Sequence, residues 1–521
     1  MKSPPFSAFF RPEAGFPCRA LLVFALTLGC FIMPGSLLAQ PKEPRLALSL
    51  REAISLALAK NFDITIESFN PRLAEQDIRL ERGAFDPALT AEGRATGDKT
   101  GSASIFFPGD SVQKEARVGI GFEGKLVTGT QYRMLLEETR LSTNSTIFRF
   151  NPRFEAGLTF SLTQPLLKNF GIDINRTRIL VAQNSHEISL ERFRERVIDV
   201  VSQVQDAYWD LVFAIADHKA KKESLELAKD LLRRNRIQVD AGTLAPIEIV
   251  EAEASVAARE VDVITSANEI GNAEDRLKRI LNLNWETRIM PADEPAFVPE
   301  EIDLARSLRR SFKYRPDFVS AQLDIKSRRI QLNFAKNQLL PQVDLVGSLG
   351  LNGLDNRKSE ALDKTTTTDF YSWEAGVVLR YPIPNRTARA VRTKRRLEVE
   401  QALIGLKDLE QKITEEVRRA VRQITAGQKE VLASRKAREL AEKRLEAEEK
   451  KFAVGLATSR DVLEDQEDLT LARTAESKAL VNYSKALVNL DRVTGFSLKK
   501  HRIDLGGLRK RSRMALPFKG S

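Results

Sequence analysis

The stretch Val454-Gly-Leu-Ala-Thr-Ser-Arg-Asp461-Val-Leu-Glu464 interrupts two long helical patterns. It has a counterpart earlier in the chain, Ala241-Gly-Thr-Leu-Ala-Pro-Ile-Glu248-Ile-Val-Glu251. In each, a Gly suited to a left-handed helix stop precedes a Thr, Ser or Pro suited to a new helix start. Acidic residues follow each Gly at the same distances, Glu248 and Glu251 in the first break and Asp461 and Glu464 in the second. Their mutual spacing of three puts each pair on one helical face. The breaks read as the tips of two helical hairpins that meet at one mouth. The rest of the chain builds, holds and spans the tube behind it.

Outward from the first tip, the chain upstream is helical for about 70 residues from Pro165 and Gly171, a rod of roughly 105 Å at 1.5 Å per residue. Its apolar seam, Val197, Val201, Val204, Tyr208, Leu211 and Ile215, alternates steps of four and three as coiled coils do. The return helix after the tip, about 246–281, covers half that distance. The second tip sits between a rod opened by Pro384-Asn385, with the seam Val399, Leu403, Leu406, Ile413, Val417, Ala420, Ile424 and Val431, and a half-length return to about 494. Each half also begins with a half-length helix. Residues 302–345 lie over 48–91 without a gap, Leu304 on Leu50, Asp317 on Asp63 and Pro341 on Pro87. In the first copy Ala53, Ile54, Ala57 and Leu58 form the early apolar face, and Asn70-Pro71 marks a place for an interruption or kink. Two half-length helices stacked end to end match one rod, which gives four helical columns per chain, roughly 100 Å tall.

Between helices the period changes to two. Leu89, Ala91, Gly93 and Ala95 alternate with Thr90, Glu92, Arg94 and Thr96 after Asp86-Pro87. Ala116, Val118, Ile120 and Phe122 alternate with Arg117, Gly119, Gly121 and Glu123. After the turn signal Thr128-Gly129 comes a run around Tyr132, Met134 and Leu136, then Phe154, Ala156, Leu158, Phe160 and Leu162. Gly-, Ser- and Thr-rich loops are expected at 97–104 and 142–146. The second half offers two strands, 343–351 and 373–381, the latter with Trp373, Ala375, Val377 and Leu379 on one face. Amphipathic strands of about ten residues fit an outer-membrane barrel, which must close because open edges in lipid leave backbone groups unpaired. Four to six strands fall short of the usual minimum of about eight, so several chains must share one barrel.

The 521-residue chain is 29% charged and only 7% aromatic, which suits long solvated helices. Its net charge of +11 is spread among interleaved acids, a pattern that argues against nucleic-acid binding. Arg509-Lys-Arg-Ser-Arg513 reads as a solvated tail. At the N-terminus, Lys2, Arg11 and Arg19 precede the apolar run 21–33 and then Pro34-Gly-Ser-Leu-Leu-Ala39, the pattern of an export signal cleaved near Ala39. About 13 apolar residues are too few to span a bilayer. Both cysteines, Cys18 and Cys30, lie in this segment. Leu28-Gly-Cys30 is a loose lipoprotein signal, with Thr27 where Leu is preferred, so lipidation of Cys30 is the alternative. The expected organisation is a signal peptide at 1–39, a first repeat at 40–290, a Pro-rich linker at 291–301, a second repeat at 302–498 and a basic periplasmic tail at 499–521.

These features together resemble the TolC family of outer membrane efflux proteins over about 46–496. The resemblance rests on Leu48-Ser-Leu-Arg-Glu-Ala-Ile-Ser-Leu-Ala-Leu, Ala84-Phe-Asp-Pro87, Gln164-Pro-Leu-Leu167, Pro341, Tyr381-Pro-Ile-Pro384 and the second tip, in that order within a duplicated helix–strand–helix plan. It implies a homotrimer, in which a twelve-stranded barrel in outer-membrane lipid continues into a twelve-helix α-barrel tunnel across the periplasm. It also implies docking to a periplasmic adaptor (membrane fusion) protein and an inner-membrane pump. By the same resemblance the adaptor-docking tips are Gly242, Thr243, Leu244, Val454, Gly455, Leu456 and Thr458. The acids that narrow the closed periplasmic gate are Asp461 and Glu464, with Glu248 and Glu251 as the first-repeat equivalents. One feature departs from the family plan of two strands per repeat: the first repeat offers four. The inner pair, about 114–140, is expected to project as an external hairpin; a wider barrel using all six strands is the alternative.

A ring of carboxylates near the mouth selects cations and binds divalent ions; acids near a helix start also simply favour the macrodipole. No enzyme is expected. His186, His218 and His501 lie far apart without metal-ligand spacing, and there is no Cys nucleophile, phosphate loop or Gly-x-Ser-x-Gly elbow. No cofactor or metal is expected either, and His218 reads as a packed or solvated helix residue. Small-molecule efflux and protein secretion compete as the duct's task. An exported coiled-coil spacer without a conduit explains the seams but neither the strands nor the matched repeats.

Overall fold

A computed structural model describes residues 45–102 and 109–506. The export signal, both cysteines and the Arg509–Arg513 cluster lie outside the described residues.

The chain opens with β1 (Arg45–Leu48), α1 (Leu50–Lys60), α2 (Phe62–Glu67) and α3 (Phe69–Arg82). Ser49 caps α1 through a reciprocal box with Glu52, and the Asn61 side chain accepts from the Ile64 N–H to restart the helix as α2. The interruption therefore falls at 61 and 68. Pro71 lies inside the first turn of α3, where its missing N–H has no partner to lose. Four strands follow, β2 (Ala88–Ser102), β3 (Gly109–Lys125), β4 (Gln131–Thr143) and β5 (Arg153–Pro165). The first long helix comes next, α5 (Thr177–Asp240), after the single turn α4 (Ile172–Asn175), and then α6 (Ile247–Leu281) and β6 (Arg288–Pro291). The second half repeats the plan: α7 (Leu304–Tyr314), α8 (Pro316–Asn337), β7 (Gln342–Asp355), the short α9 (Lys358–Lys364), β8 (Tyr371–Arg380), α10 (Arg386–Ala453), α11 (Ser459–Val493) and α12 (Ser497–Lys500). The repeat is close in length: α1 and α7 have 11 residues each, α6 and α11 have 35 each, and the long helices have 64 and 68.

The half-length helices meet end to end beside the long ones. The Asn61 amide donates to the Ile280 carbonyl at 2.8 Å, and the Asn282 amide donates to the Lys60 carbonyl at 3.3 Å, so α1 abuts the end of α6. In the second repeat Arg315 donates to the Val493 carbonyl at 3.2 Å, so α8 abuts the end of α11. The largest core forms where α1, α6 and α5 converge, around Ala53, Ile54, Val201, Tyr208, Leu277 and Leu281. The α5 seam is buried from Val197 to Leu211, but Ile215 is exposed and Ala214 takes its place. A straight helix drifts by about 20° per heptad against a 3.5-residue pattern, which moves the buried stripe sideways. Leu403 of α10 is likewise at the surface of the single chain.

The 291–301 linker is strapped to the helices. The Tyr208 hydroxyl accepts from the Asp293 N–H at 3.1 Å, and the Tyr483 hydroxyl donates to the Val298 carbonyl at 2.7 Å. Phe297 stacks edge-on against Tyr483 at 5.4 Å. β1 and β6 pair in parallel beside this strap.

The strands form one antiparallel sheet in the order β2-β3-β4-β5-β7-β8. This corrects the expectation of a projecting hairpin: β3 and β4 lie inside the sheet, between β2 and β5. It also corrects the loop expected at 97–104, because 97–102 continue β2 opposite 109–114. The reason lies in register. Leu89, Phe122, Met134, Phe160, Leu349 and Trp373 stand side by side across all six strands, and only a continuous sheet gives β3 and β4 the same apolar face as their neighbours. The opposite face is polar, with ion pairs Arg117–Glu137 at 3.4 Å and Arg133–Glu123 at 3.6 Å. No described helix is long and apolar enough to cross a membrane.

Candidate functional site: the hairpin tips

Both tips end their long helices in the same way. Gly242 (φ 73°) and Gly455 (φ 78°) occupy the left-handed region. At the first, Gly242 N–H donates to the Val239 carbonyl and Thr243 N–H to the Gln238 carbonyl, both at 2.9 Å. At the second, Gly455 N–H donates to Phe452 at 3.0 Å and Leu456 N–H to Lys451 at 2.9 Å. These are paired Schellman closures, which satisfy the last carbonyls of each rod. Around them Thr243, Val454, Leu456 and Thr458 are exposed and Leu244 is half-buried. Val454 and Leu456 are 70% and 78% exposed, which leaves two apolar side chains at the extreme end of a helical column, uncovered by any described residue.

The four acids behind the tips differ in environment. Asp461 is the third residue of α11 and closes a capping box: its carboxylate accepts from the Thr458 N–H at 2.9 Å and hydroxyl at 2.7 Å. Those two bonds hold its pKa below the ordinary aspartate value, the backbone bond contributing most. Glu464, one turn on, is exposed. Glu248 is half-buried, with one carboxylate oxygen closed off from solvent and without a hydrogen-bond partner, and Glu251 is also half-buried. Asp461 and Glu464 thus present charge to solvent, whereas Glu248 is turned partly into the chain.

The two hairpins are locked side by side just above the tips. Leu231 of α5 shares a core with Leu445 and Phe452 of α10 and Val462, Leu463 and Leu469 of α11. Two polar ties accompany it. The fully buried Asn235 of α5 donates to the Ser459 hydroxyl of α11 at 2.6 Å. Arg259 of α6, 7% exposed, donates to the Gln466 side-chain oxygen at 2.9 Å, the Leu463 carbonyl at 3.0 Å and the Ser224 carbonyl at 3.1 Å. Burial lowers the pKa of Arg259 from its usual value. The sequence reading missed this tie. Its signal was present, since Ala252, Arg259, Ser266 and Ala273 recur every seventh residue and all are buried. A charge on such a seam needs partners on the facing helix. His218 is half-buried and its Nδ1 lies 2.9 Å from the Ser266 hydroxyl. Among the described residues no group of acids, histidines or cysteines is arranged to hold a metal.

A sequence profile described as outer membrane efflux protein matches residues 53–283 and 308–496, both repeats. The chain belongs to the outer membrane efflux protein family. Outer membrane efflux protein BepC of Brucella suis biovar 1 is 19% identical over 477 residues, 91% of this chain and 90% of that protein. Nodulation protein T of Rhizobium leguminosarum bv. trifolii is 21% identical over 312 residues, 57% of this chain; the match spans 63% of that protein, less than two thirds of its length. The Campylobacter jejuni CmeC outer membrane channel has the same fold, with a TM-score of 0.63 at 16% identity over 88% of this chain and 90% of that one. Both matched segments fall within the duplicated helix–strand–helix plan described above. The protein is an outer-membrane channel rather than an enzyme, with its sheet in the outer membrane and its helices in the periplasm.

Proposed function

We propose that three copies form a tunnel that exports small molecules delivered by an inner-membrane pump through a periplasmic adaptor. The observation that carries this is the continuity of one amphipathic sheet with helical columns of about 100 Å that end in two uncovered tips. A sheet with two free edges in lipid requires more copies of itself. Gly242, Thr243, Leu244, Val454, Gly455, Leu456 and Thr458 form the adaptor surface: the exposed Val454 and Leu456 supply apolar anchors, and the Schellman closures hold them rigid. Asp461 and Glu464, repeated around the mouth, form the cation-selective gate, with Glu248 and Glu251 as a weaker second contribution. The name of BepC favours efflux.

Single-channel recording of the purified trimer tests the gate. The expected result is a small stable conductance blocked from one side by divalent cations, with the block relieved in the Asp461→Ser/Glu464→Ser variant. Unchanged block in that variant removes these residues from the gate. A strain lacking the protein should become sensitive to dyes and detergents; loss of a secreted protein with unchanged sensitivity would instead assign the duct to type I protein secretion. A mature protein that stays soluble without detergent would return the reading to a spacer.

A further inference from the structure

Resting on that trimer and extending it, we propose that the outer-membrane barrel has eighteen strands, six from each copy, closed by β2 of one copy against β8 of the next. The resemblance to the family implied twelve; the extra pair from each chain is β3 and β4.

Three observations place these strands in the wall. Their pairing is continuous, from Ala88↔Glu123 to Ser102↔Gly109 against β2 and from Gln131↔Thr163 to Leu141↔Arg153 against β5. Their apolar residues complete the row shared by all six strands, and a second row, Ala91, Ile120, Leu136, Leu158, Leu351 and Tyr371, runs parallel to it. Outside a barrel wall, Val118, Ile120, Phe122, Met134 and Leu136 would have no lipid to face.

The third observation is where the β3–β4 turn sits. It does not hang free but docks at the helix end of the sheet. The Thr128 carbonyl accepts from the Gly171 N–H at 3.2 Å, and the Thr130 hydroxyl, on a buried residue, bonds the Gln164 side chain. Gly129 (φ +101°) packs so closely that a Cβ there would lie 2.5 Å from the Asn169 carbonyl oxygen. The pair therefore reaches the same level as β2 and β5, which join helices directly.

Closure geometry agrees. The free edges are β2 and β8, the first and last strands of the sheet, and head-to-tail copies bring one to the other. With strands about 4.8 Å apart and tilted by about 40°, eighteen strands give a backbone diameter of ~36 Å. Four helical columns from each of three chains, spaced about 8–10 Å apart, give a ring of ~31–38 Å. Eighteen strands meet that ring without a step.

Two experiments test this on the mature protein extracted from the outer membrane. The first is a single-particle reconstruction at strand resolution. A ring of eighteen strands with β2 beside the next copy's β8 is expected. A trimer with a twelve-stranded ring and β3–β4 outside it overturns the proposal and leaves the channel reading intact, whereas a particle that is not a trimer overturns both. The second uses single-cysteine variants Ile120→Cys and Met134→Cys in native membranes. Both cysteines are expected to resist a water-soluble maleimide until the trimer is denatured, because a thiol held in lipid does not ionise, and ready labelling of the native protein by that reagent overturns the proposal.

Discussion

Replacing Arg259 with Met tests whether the hairpins are held together by the buried polar tie above the tips. Arg259 makes three charge-assisted hydrogen bonds across α5, α6 and α11, each worth about 1.5–3 kcal/mol. Burial of the guanidinium offsets part of this, as its lowered pKa shows. Two of the acceptors are helix carbonyls with neighbouring backbone donors, so chiefly the Gln466 oxygen is orphaned. An orphaned buried acceptor costs about 1–3 kcal/mol, and with the lost hydrogen bonds partly offset by relief of the guanidinium's desolvation, Arg259→Met falls near the upper end, about 3 kcal/mol. At 1.4 kcal/mol per factor of ten, that is about a hundredfold rise in local opening. Amide hydrogen exchange of the extracted trimer should show it in segments 224–235, 252–263 and 459–470, with β4 and β5 unchanged. The double variant Arg259→Met/Gln466→Leu should recover part of the loss, because both polar partners are then gone. Exchange at the tips within threefold of the parent would refute the reasoning, as would an equal acceleration across the whole chain.

Three further outcomes are expected. Asp461 has a folded pKa below its unfolded value, so its contribution to the α11 start is fully present above the ordinary aspartate range and is lost as pH falls through the depressed folded value. Exchange at 459–462 should therefore accelerate only in strong acid, and Asp461→Ala should abolish that step. Gly129→Val places a β-branched residue at positive φ against the Asn169 carbonyl, with backbone strain of about 1–3 kcal/mol before any clash; the heat-resistant trimer band on gels should melt at lower temperature, while Gly97→Val, in open space, should not shift it. N-terminal sequencing of the mature protein should begin just after Ala39, and a blocked, acylated Cys30 would replace that cleavage with a lipid anchor.

Much of this architecture was legible because its signals are local. Gly242 and Gly455 announced the tips, since few other residues tolerate a left-handed helix end. The seams around Val201 and Val417 announced rods, and alternation announced each of the six sheet strands. What alternation lacks is a partner: a strand's period says which side is apolar but not which strand lies beside it. The placement of β3 and β4 therefore needed the registers of Phe122 with Leu89 and Met134. At the candidate site, the types and spacing of Asp461 and Glu464 were visible, whereas the burial of one Glu248 carboxylate oxygen leaves no mark in the local pattern. The seam position of Arg259 was visible, but not its partners Gln466 and Leu463, which belong to the other repeat. β1 and β6, four residues each, are too short for any periodic signal.

That short pair has a consequence for the order of folding. Among the described strands Arg45–Leu48 pairs with Arg288–Pro291 alone, and Ala53, Ile54 and Ala57 find much of their packing in Ala273, Leu277 and Leu281. A chain emerging N-terminus first at about 5–20 residues per second would hold its opening segment unmatched for on the order of 10–50 s. The loop-closure entropy itself grows only slowly with such a length, so the contact is favourable once it becomes available. Delay, rather than weakness, is the hazard. During that interval the first helix is a small apolar surface in search of a match.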